Sequence, residues 1–209
     1  MREIEMETWE RRDAYRLFSQ TAWPFYSVVF PVDVTAVHAT ARRDGQSFYY
    51  TMVWVCTKAL NRVPAFRQRI RGETVVELDW TDPSFTDLHK GAEQFHIVTM
   101  PWEADRRSFC AHAAENSAAQ TVFIDESTQH DGLIYFSCLP WFDLTALTNE
   151  HSNDRDDTIP RLAWGRYEEQ DGRLKLHLSA EVNHRLIDGL HLGRFYEALC
   201  EEIAALESQ

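Results

Sequence analysis

The stretch EVNHRLIDGLHLGRFYEALCEEI, residues 181–203, contains the end of a strand, a turn and a helix in succession. Before the turn, apolar and polar residues alternate from Leu174 to Val182, which is typical of a strand with one buried face and one wetter face. After the turn, apolar residues recur at helical intervals, at Leu190, Phe195, Leu199 and Ile203. The pattern therefore predicts a strand that delivers His184 to a turn and a helix that leaves it.

His184 is the residue of this turn whose side chain best suits proton transfer. The unperturbed pKa of histidine is about 6.5, so an imidazole held in a fixed place can act as a general base near neutral pH. Asp188 follows, and Gly189 comes directly after it, where it would supply a backbone angle that other residues resist. The same residues also fit a simpler interpretation, with His184 an ordinary turn residue and Asp188 the N-cap of the helix. The spacing alone leaves both interpretations open.

The rest of the chain mixes helical and strand patterns. Helical spacing predicts helices over residues 8–18, 47–63 and 104–119, of which the second is apolar nearly all round and should be the central helix, ended by Pro64. Residues 26–37 are β-rich but contain Pro31, which places that strand at an edge or a bend. Further strands are expected over residues 73–80 and 131–144, the latter broken at Pro140.

A hairpin is predicted near the end of the chain. Residues 161–167 and 173–182 are both strand-like, and Asp171 and Gly172 supply a tight turn between them. Strands and helices in this order indicate an α+β fold, a mixed α/β sandwich in which helices cover a mostly antiparallel sheet.

Length and charge restrict the possible partners. The 209 residues are 44% hydrophobic, which is enough to bury one core, so a single domain over residues 1–209 is expected. The net charge of -12 repels phosphate backbones and anionic lipids, which argues against nucleic acid and membrane surfaces as partners. No secretion signal or run of roughly 20 apolar residues is evident, so a cytoplasmic location is expected. The four cysteines form no CxxC pair, so we expect reduced thiols and no zinc site.

One segment is strongly polar. Residues 148–157, TNEHSNDRDD, are rich in Asn, Asp and Ser. This composition favours a solvated surface loop over a cluster of ligands.

Motifs along nearly the whole chain resemble one family. The turn NHRLIDG, residues 183–189, resembles the HHxxxDG signature of chloramphenicol acetyltransferases and the DHRxxDG form of the acyltransferases of 2-oxo acid dehydrogenase complexes. Residues 48–89 resemble the chloramphenicol acetyltransferase segment that begins FYP and continues through P-x-F-R and D-x-x-x-P-x-F-T. GAEQFHIV, SCLPW and TWERRDAY resemble its ETF-containing strand, its S-A-x-P-W and its N-terminal W-x-R segment. The chain is therefore identified as a member of that family.

The resemblance implies a reaction. His184 would take the proton of an acceptor hydroxyl, and the oxygen would attack the thioester of acetyl-CoA directly, with no covalent acyl-enzyme and no metal or prosthetic group. Asp188 would pair with Arg11 and so hold the turn in place. The family's proteins are trimers with sites between subunits, so a homotrimer is expected. By position, Tyr26 would line the acceptor pocket, while Tyr49, Arg166 and Tyr167 would lie near CoA; each aromatic residue fits a packing role equally well.

The chain also departs from the family pattern. Ala146 falls where the family has a serine that donates to the oxyanion, and Ala163 falls where it has a threonine that helps to bind water. Losing one oxyanion donor typically costs about 10²–10³ in rate. Thr145 is adjacent to Ala146, but neighbouring residues on a strand point to opposite faces, so it could substitute only at a bulge or after a shift of one residue. Leu144 replaces the usual aromatic residue of the pocket, and Asn183 replaces the first histidine, a mild change.

Two functions follow as hypotheses. The first is a CoA-dependent O-acetyltransferase that acts on chloramphenicol or a related hydroxyl acceptor. The second is a family member that binds a small apolar ligand without transferring an acyl group, which the alanines at positions 146 and 163 suggest.

Overall fold

The computed structural model describes residues 1–208, which form two sheets and five α-helices. The helices are α1 (Arg12–Phe18), α2 (Thr35–Arg43), α3 (Phe48–Asn61), α4 (Arg106–Ala119) and α5 (Gly189–Ala205). The strands are β1 (Arg2–Glu3), β2 (Phe25–Asp33), β3 (Gln68–Arg71), β4 (Thr74–Glu77), β5 (Asp82–Asp87), β6 (His96–Thr99), β7 (Leu133–Leu139), β8 (Arg161–Gly165), β9 (Glu168–Gln170) and β10 (Arg173–Asn183). The predicted mixture of helices and strands is confirmed.

The larger sheet is mixed. Its order is β2-β10-β8-β7-β5-β6, with β9 paired to β10, and the small sheet has the order β1-β4-β3. Most pairs of the larger sheet are antiparallel, as predicted, but β7 runs parallel to both β5 and β8. Parallel neighbours need a crossing connection. The one between β7 and β8, residues 140–160, contains no helix, and its residues contact β10.

The central helix is confirmed as α3, and its bounds have a local cause. The Ser47 hydroxyl accepts a bond from the Tyr50 backbone amide at 3.4 Å, which caps the first turn, and Pro64 follows soon after the last. Met52, Val53, Val55 and Cys56 are fully buried. This helix therefore joins the sheet to the helices packed beside it.

The strand that leads to His184 lies inside the larger sheet. β10 pairs with the edge strand β2 on one side and with β8 on the other. Pro31 lies in β2, at an edge, as predicted. The hairpin is also confirmed, with Asp171 and Gly172 both at positive φ in the turn.

The wetter face predicted for β10 is wrong near its end. Ser179, Glu181 and Asn183 are buried, with 1%, 4% and 3% of their surface exposed. The reason is that the β7–β8 connection covers this face, and a single-strand pattern carries no information about a distant segment that lies on it.

Two other boundaries differ from prediction. The strand expected over residues 26–37 ends at Asp33, whose carboxylate accepts bonds from the amide and hydroxyl of Thr35 and so starts α2. The first helix is shorter than expected, because α1 begins only at Arg12 and residues 6–11 form turns.

Candidate active site

His184 lies in the turn between β10 and α5, as the sequence predicted. Its backbone amide donates to the carbonyl of Pro24 at 2.7 Å, which ties the turn to the start of β2. Its ring lies between two aromatic rings, Phe18 at 3.8 Å and nearly parallel, and Tyr26 at 4.3 Å and tilted. The imidazole is therefore held by packing as well as by the backbone.

The hydrogen bonds of the ring indicate its tautomer. Nδ1 lies 3.1 Å from the carbonyl oxygen of Ile187, and a carbonyl can only accept, so Nδ1 carries the proton. Among the described residues Nε2 has no hydrogen-bond partner. The lone pair of a neutral imidazole is therefore on Nε2, as a general base requires.

Arg11 binds the turn at three acceptor groups. Its Nε donates to the carbonyl of Arg185 at 2.9 Å and one Nη to the carbonyl of His184 at 2.6 Å, while the other Nη binds the carboxylate of Asp188. Burial acts to raise the pKa of Asp188, but the hydrogen bond and charge of Arg11 outweigh it and hold that pKa below its usual value. The carboxylate thus stays ionised, and the two residues form a clasp across the turn.

Asp188 also caps α5. Its carboxylate accepts a hydrogen bond from the amide of Leu190 at 3.0 Å, and its own amide donates to Nδ1 of His191 at 3.1 Å. The N-cap interpretation and the Arg11 pairing are therefore both correct, because the two oxygens of the carboxylate serve different partners. The special backbone angle expected of Gly189 is wrong, since Gly189 is not at positive φ and an added Cβ there would meet no atom within 4 Å.

Tyr26 keeps an available hydroxyl. The hydroxyl is buried, and among the described residues it has no hydrogen-bond partner. Burial, reinforced by the nearby charge of Asp188, raises the pKa of Tyr26 to about 12, so the group is a neutral phenol at physiological pH. Its ring lies 4.3 Å from that of His184, so this phenol is a hydrogen-bond donor next to the imidazole.

A large cleft of about 1770 Å³ lies elsewhere on the chain, along β5, β7 and β8. Its walls include the start of α3 and residues of the polar segment 148–157. Of the ten predicted site residues, Tyr49 lines this cleft, and the other nine, His184 among them, do not. Within a single chain, the cleft and the His184 imidazole are therefore separate.

The three residues predicted near CoA lie in different surroundings. Tyr49 donates its hydroxyl to the carbonyl of Thr86 at 2.7 Å, and burial raises its pKa well above the usual value. Tyr167 packs in an aromatic cluster with His38 and Phe48, with ring centroids 5.4 and 5.2 Å away. Arg166 is exposed and lies 3.2 Å from Glu168, so its charge is partly compensated.

The segment around Ala146 is not a strand. Residues 142–160 have no regular secondary structure. The alternation of side chains along a strand therefore gives no reason for Thr145 to point away from the site. Thr145 and Ala146 are both exposed, whereas Leu144 is buried against the backbone at Gly165. The Cβ of an added side chain at Gly165 would lie 2.6 Å from the Leu144 amide nitrogen, which shows how closely the segment meets β8.

Ala163 lies in a row of small residues across three strands. It is 1% exposed and pairs with Ser137 of β7 and Ser179 of β10. Paired residues point to the same face of a sheet, so hydroxyl groups flank this alanine on both sides.

The polar segment 148–157, here called the polar loop, lies at the surface as its composition suggested, with seven of its ten residues exposed, but several of its polar groups bind buried partners. The side chain of His151 is 1% exposed, and its Nε2 lies 2.6 Å from a carboxylate oxygen of Glu181. Asn183 donates to the carbonyls of Arg155 and Asp157, both at 3.0 Å. Polar composition does not distinguish a solvated loop from one whose polar groups bind buried partners.

Sequence reasoning missed Phe18 and His151 as residues around the site. Phe18 was recognised only as the last residue of a helix. His151 offered a weak signal, since it is a histidine in an acidic segment.

Within residues 1–208 no cluster of side chains suits a metal ion. In the same part of the chain, no helix has the length and hydrophobicity needed to span a bilayer.

Comparison with known proteins identifies the class. The family model of chloramphenicol acetyltransferase matches residues 1–200. The chloramphenicol acetyltransferase of Streptomyces acrimycini is 31% identical over 94% of this chain and 91% of its own length. Chloramphenicol acetyltransferase 2 of Escherichia coli is 26% identical over 96% and 97%. A solved chloramphenicol acetyltransferase superposes with a TM-score of 0.88, at 25% identity over 97% of this chain and all of its own.

These findings define an acyltransferase whose acyl donor is acetyl-CoA. The chain belongs to the chloramphenicol acetyltransferase family.

Proposed function

We propose that this protein transfers the acetyl group of acetyl-CoA to a hydroxyl of chloramphenicol or of a related small acceptor, with His184 as the general base. The observation that carries the proposal is the His184 ring, whose Nδ1 is committed to the Ile187 carbonyl and whose Nε2 is left to accept a proton. The acceptors named for the family's relatives support the choice of chloramphenicol.

The chemistry follows from that tautomer. Nε2 removes the hydroxyl proton as the acceptor oxygen attacks the thioester carbonyl, and a tetrahedral oxyanion forms. The oxyanion then collapses, the C–S bond breaks, and the departing thiolate takes the proton back from Nε2 as CoA-SH. The imidazole returns to its starting state, so no acyl-enzyme is needed.

The clasp and the packing prepare this step. Arg11 and Asp188 fix the backbone around His184, and Tyr26 offers its phenol to the acceptor. Effective general-base catalysis needs the nitrogen within hydrogen-bond distance of the hydroxyl, so a ring fixed in advance lowers the entropic cost of the reaction.

We further propose that the working enzyme is a homotrimer of single-domain chains, with each site formed between two subunits. The separation of the cleft from His184 within one chain supports this arrangement, because a second copy would bring the two together. In that arrangement Leu144, Ala146 and Ala163 belong to the acceptor side, and Tyr49, Arg166 and Tyr167 to the CoA side. A cytoplasmic location and a role in antibiotic resistance complete the proposal.

Thr145 is the hydroxyl residue next to Ala146, which stands where the family has its oxyanion serine. Because residues 142–160 are irregular, Thr145 is free of strand alternation, and its exposed hydroxyl can face a neighbouring subunit's thioester. We propose Thr145 as the donor that replaces the serine absent at Ala146.

The test is a thiol-release assay. Purified protein is mixed with acetyl-CoA and chloramphenicol, and free CoA is followed alongside the His184→Ala variant. Removing the base typically costs about 10²–10⁴ in rate. His112→Ala is the control, because His112 is an exposed histidine paired with Glu103 at 2.7 Å, outside the residues around His184. Turnover that survives in His184→Ala removes His184 from the mechanism.

A second function stays in view because of Ala146 and Ala163. If both polar groups are lost without replacement, the protein binds a small apolar ligand but transfers nothing. Thermal shift with CoA separates the two cases, since a site with a Kd near 0.1 mM should gain roughly 1.4 kcal/mol from 1 mM CoA. Stabilisation by CoA favours the enzyme, and none favours the binding protein.

A further inference from the structure

The polar loop surrounds the elements that hold His184. Its residues contact the end of β10, the start of β2 and the chain just after α1. These are the segments that supply the backbone of His184 and its two flanking rings.

At the end of β10, alternate residues bind the loop. Glu181 accepts the Asn149 amide at 3.1 Å and lies 2.6 Å from His151, while Asn183 binds two loop carbonyls. Arg185 adds an ion pair with Asp156 at 2.8 Å. The residue between Asn183 and Arg185 is His184, so both of its chain neighbours are anchored to the loop.

His151 lies between two carboxylates. Nε2 faces Glu181 at 2.6 Å and Nδ1 faces Asp157 at 3.4 Å, so the imidazolium form can donate to both. Glu181 also accepts the Ser27 hydroxyl at 2.6 Å, and Arg161 binds Asp157 at 2.7 Å. Burial acts to raise the pKa of Glu181, but the hydrogen bonds from Ser27, the Asn149 amide and His151, together with the charge of His151, hold that pKa below its usual value.

At the start of β2, successive residues contact His151 and His184 in turn. The ring of His151 stacks on Phe25 at 3.8 Å and meets the edge of Trp23 at 5.2 Å. The residues between and after them contact His184, through the Pro24 carbonyl and the Tyr26 ring. Successive side chains of an extended chain point to opposite sides, so one short segment touches His151 on one side and His184 on the other.

Arg155 of the polar loop contacts the chain just after α1. Its guanidinium donates to the carbonyls of Ser19 and Thr21, at 2.5 and 2.7 Å. Ser19 follows Phe18, the ring stacked on His184. The loop thus contacts the segment behind each ring that flanks the imidazole.

We propose that the polar loop is the positioning element of His184, with His151 at its centre and Arg155 as its second anchor. Neither residue touches the reacting atoms. They act by fixing Tyr26, Phe18 and the strand end, and through these the orientation and tautomer of the His184 ring.

The experiment compares His151→Ala and Arg155→Ala with the wild type. We expect kcat to fall between about tenfold and about 100-fold in His151→Ala, with the KM for acetyl-CoA unchanged; the range is that for loss of a residue that orients a metal-binding side chain, applied here to an oriented imidazole. His151→Gln, which can still donate to Glu181, should recover part of the loss. Arg155 lies on the exposed side of the loop, so Arg155→Ala should fold and show a smaller fall in kcat. His112→Ala is the matched control and should leave kcat unchanged.

A second measurement does not depend on turnover. Long-range ¹H–¹⁵N spectra of protein with ¹⁵N-labelled histidine report the tautomer of His184, assigned by the signal lost in His184→Ala. We expect the Nδ1–H tautomer in the wild type and in His112→Ala, and a mixture of tautomers in His151→Ala. The kinetic measurement rests on the proposed acetyl transfer, but this one does not, so an inactive wild type would count against the function and leave the positioning test intact.

One outcome overturns the proposal. Several residues of the polar loop also line the cleft, so the loop could serve only as a wall. In that case His151→Ala would raise the KM for chloramphenicol, while kcat and the His184 tautomer stayed as in the wild type. That result would assign the loop to acceptor binding alone.

Discussion

Replacing Arg11 with alanine should damage both stability and catalysis, because its guanidinium holds three acceptors at once. The Arg11 side chain is 9% exposed and that of Asp188 35% exposed. Removing one partner of a buried ion pair costs about 3–5 kcal/mol, and water reaching the half-exposed Asp188 lowers that cost. We therefore expect Arg11→Ala to lose about 2–3 kcal/mol of unfolding free energy, and kcat to fall about 10–100-fold as the His184 carbonyl is released.

The assay is urea unfolding at one fixed protein concentration, paired with the thiol-release rate. Arg12→Ala is the matched control, since Arg12 is the next residue along and pairs with Asp13 at 3.3 Å and Glu7 at 3.9 Å, where Asp13 and Glu7 are exposed. Such surface pairs contribute about 0–1 kcal/mol. Equal losses in Arg11→Ala and Arg12→Ala would refute the clasp.

The pH dependence gives a second check on the same variant. The pKa of Asp188 is lowered in the folded protein, so its contribution is present above its unfolded pKa and is lost as the pH falls through the folded value. The unfolded pKa of aspartate is about 3.9. The stability difference between wild type and Arg11→Ala should therefore be full at neutral pH and shrink below about pH 4. A difference that stays constant down to pH 2 would show that Asp188 is not the partner whose charge matters.

Three further substitutions have distinct expected outcomes. Gly165→Ala should lose about 1–3 kcal/mol of unfolding free energy from overpacking, because the new Cβ would lie 2.6 Å from the Leu144 nitrogen and 2.7 Å from the Phe142 oxygen. The control is Gly193→Ala, where the space around the new Cβ is open, and chemical denaturation should show no loss of stability. Ala146→Ser should raise kcat by no more than about tenfold if Thr145 already supplies the oxyanion donor, whereas a gain near 10³ would show that no donor was present. Tyr26→Phe should leave stability unchanged or increase it by about 1 kcal/mol, since the buried hydroxyl has no partner among the described residues, and should raise the KM for the acceptor in steady-state assays.

The parts of the fold that the sequence predicted are those set by local periodicity. The α3 helix, the β8–β10 hairpin and the strand–turn–helix at His184 each have a pattern complete within about thirty residues or fewer, with Pro64, Gly172 or Gly189 marking a boundary. Helix α2 was missed because Val34, Thr35 and Val37 favour strands, and the capping contact of Asp33 decided the outcome. The parallel pairing of β7 depends on which strands meet in space, which no local pattern encodes.

The same division applies to the candidate site. The positions of His184, Asp188 and Arg11 were predicted because motif resemblance related residues more than 170 positions apart, and the structure brings the three together. The environment of the imidazole was not predicted. Phe18 stacks on the ring through tertiary packing, and the burial of the His151 side chain depends on Glu181, which faces it from another strand.

The connection between β7 and β8 crosses the sheet without forming a helix, and this has an evolutionary consequence. A helix in that place would have to keep its apolar stripe, its caps and its length, and each acceptor-facing residue would be bound to that periodicity. An irregular segment that is held at a few residues is free of such constraints. Insertions and substitutions between those residues can therefore change the wall of the cleft, while the helices and the histidine turn keep their sequence.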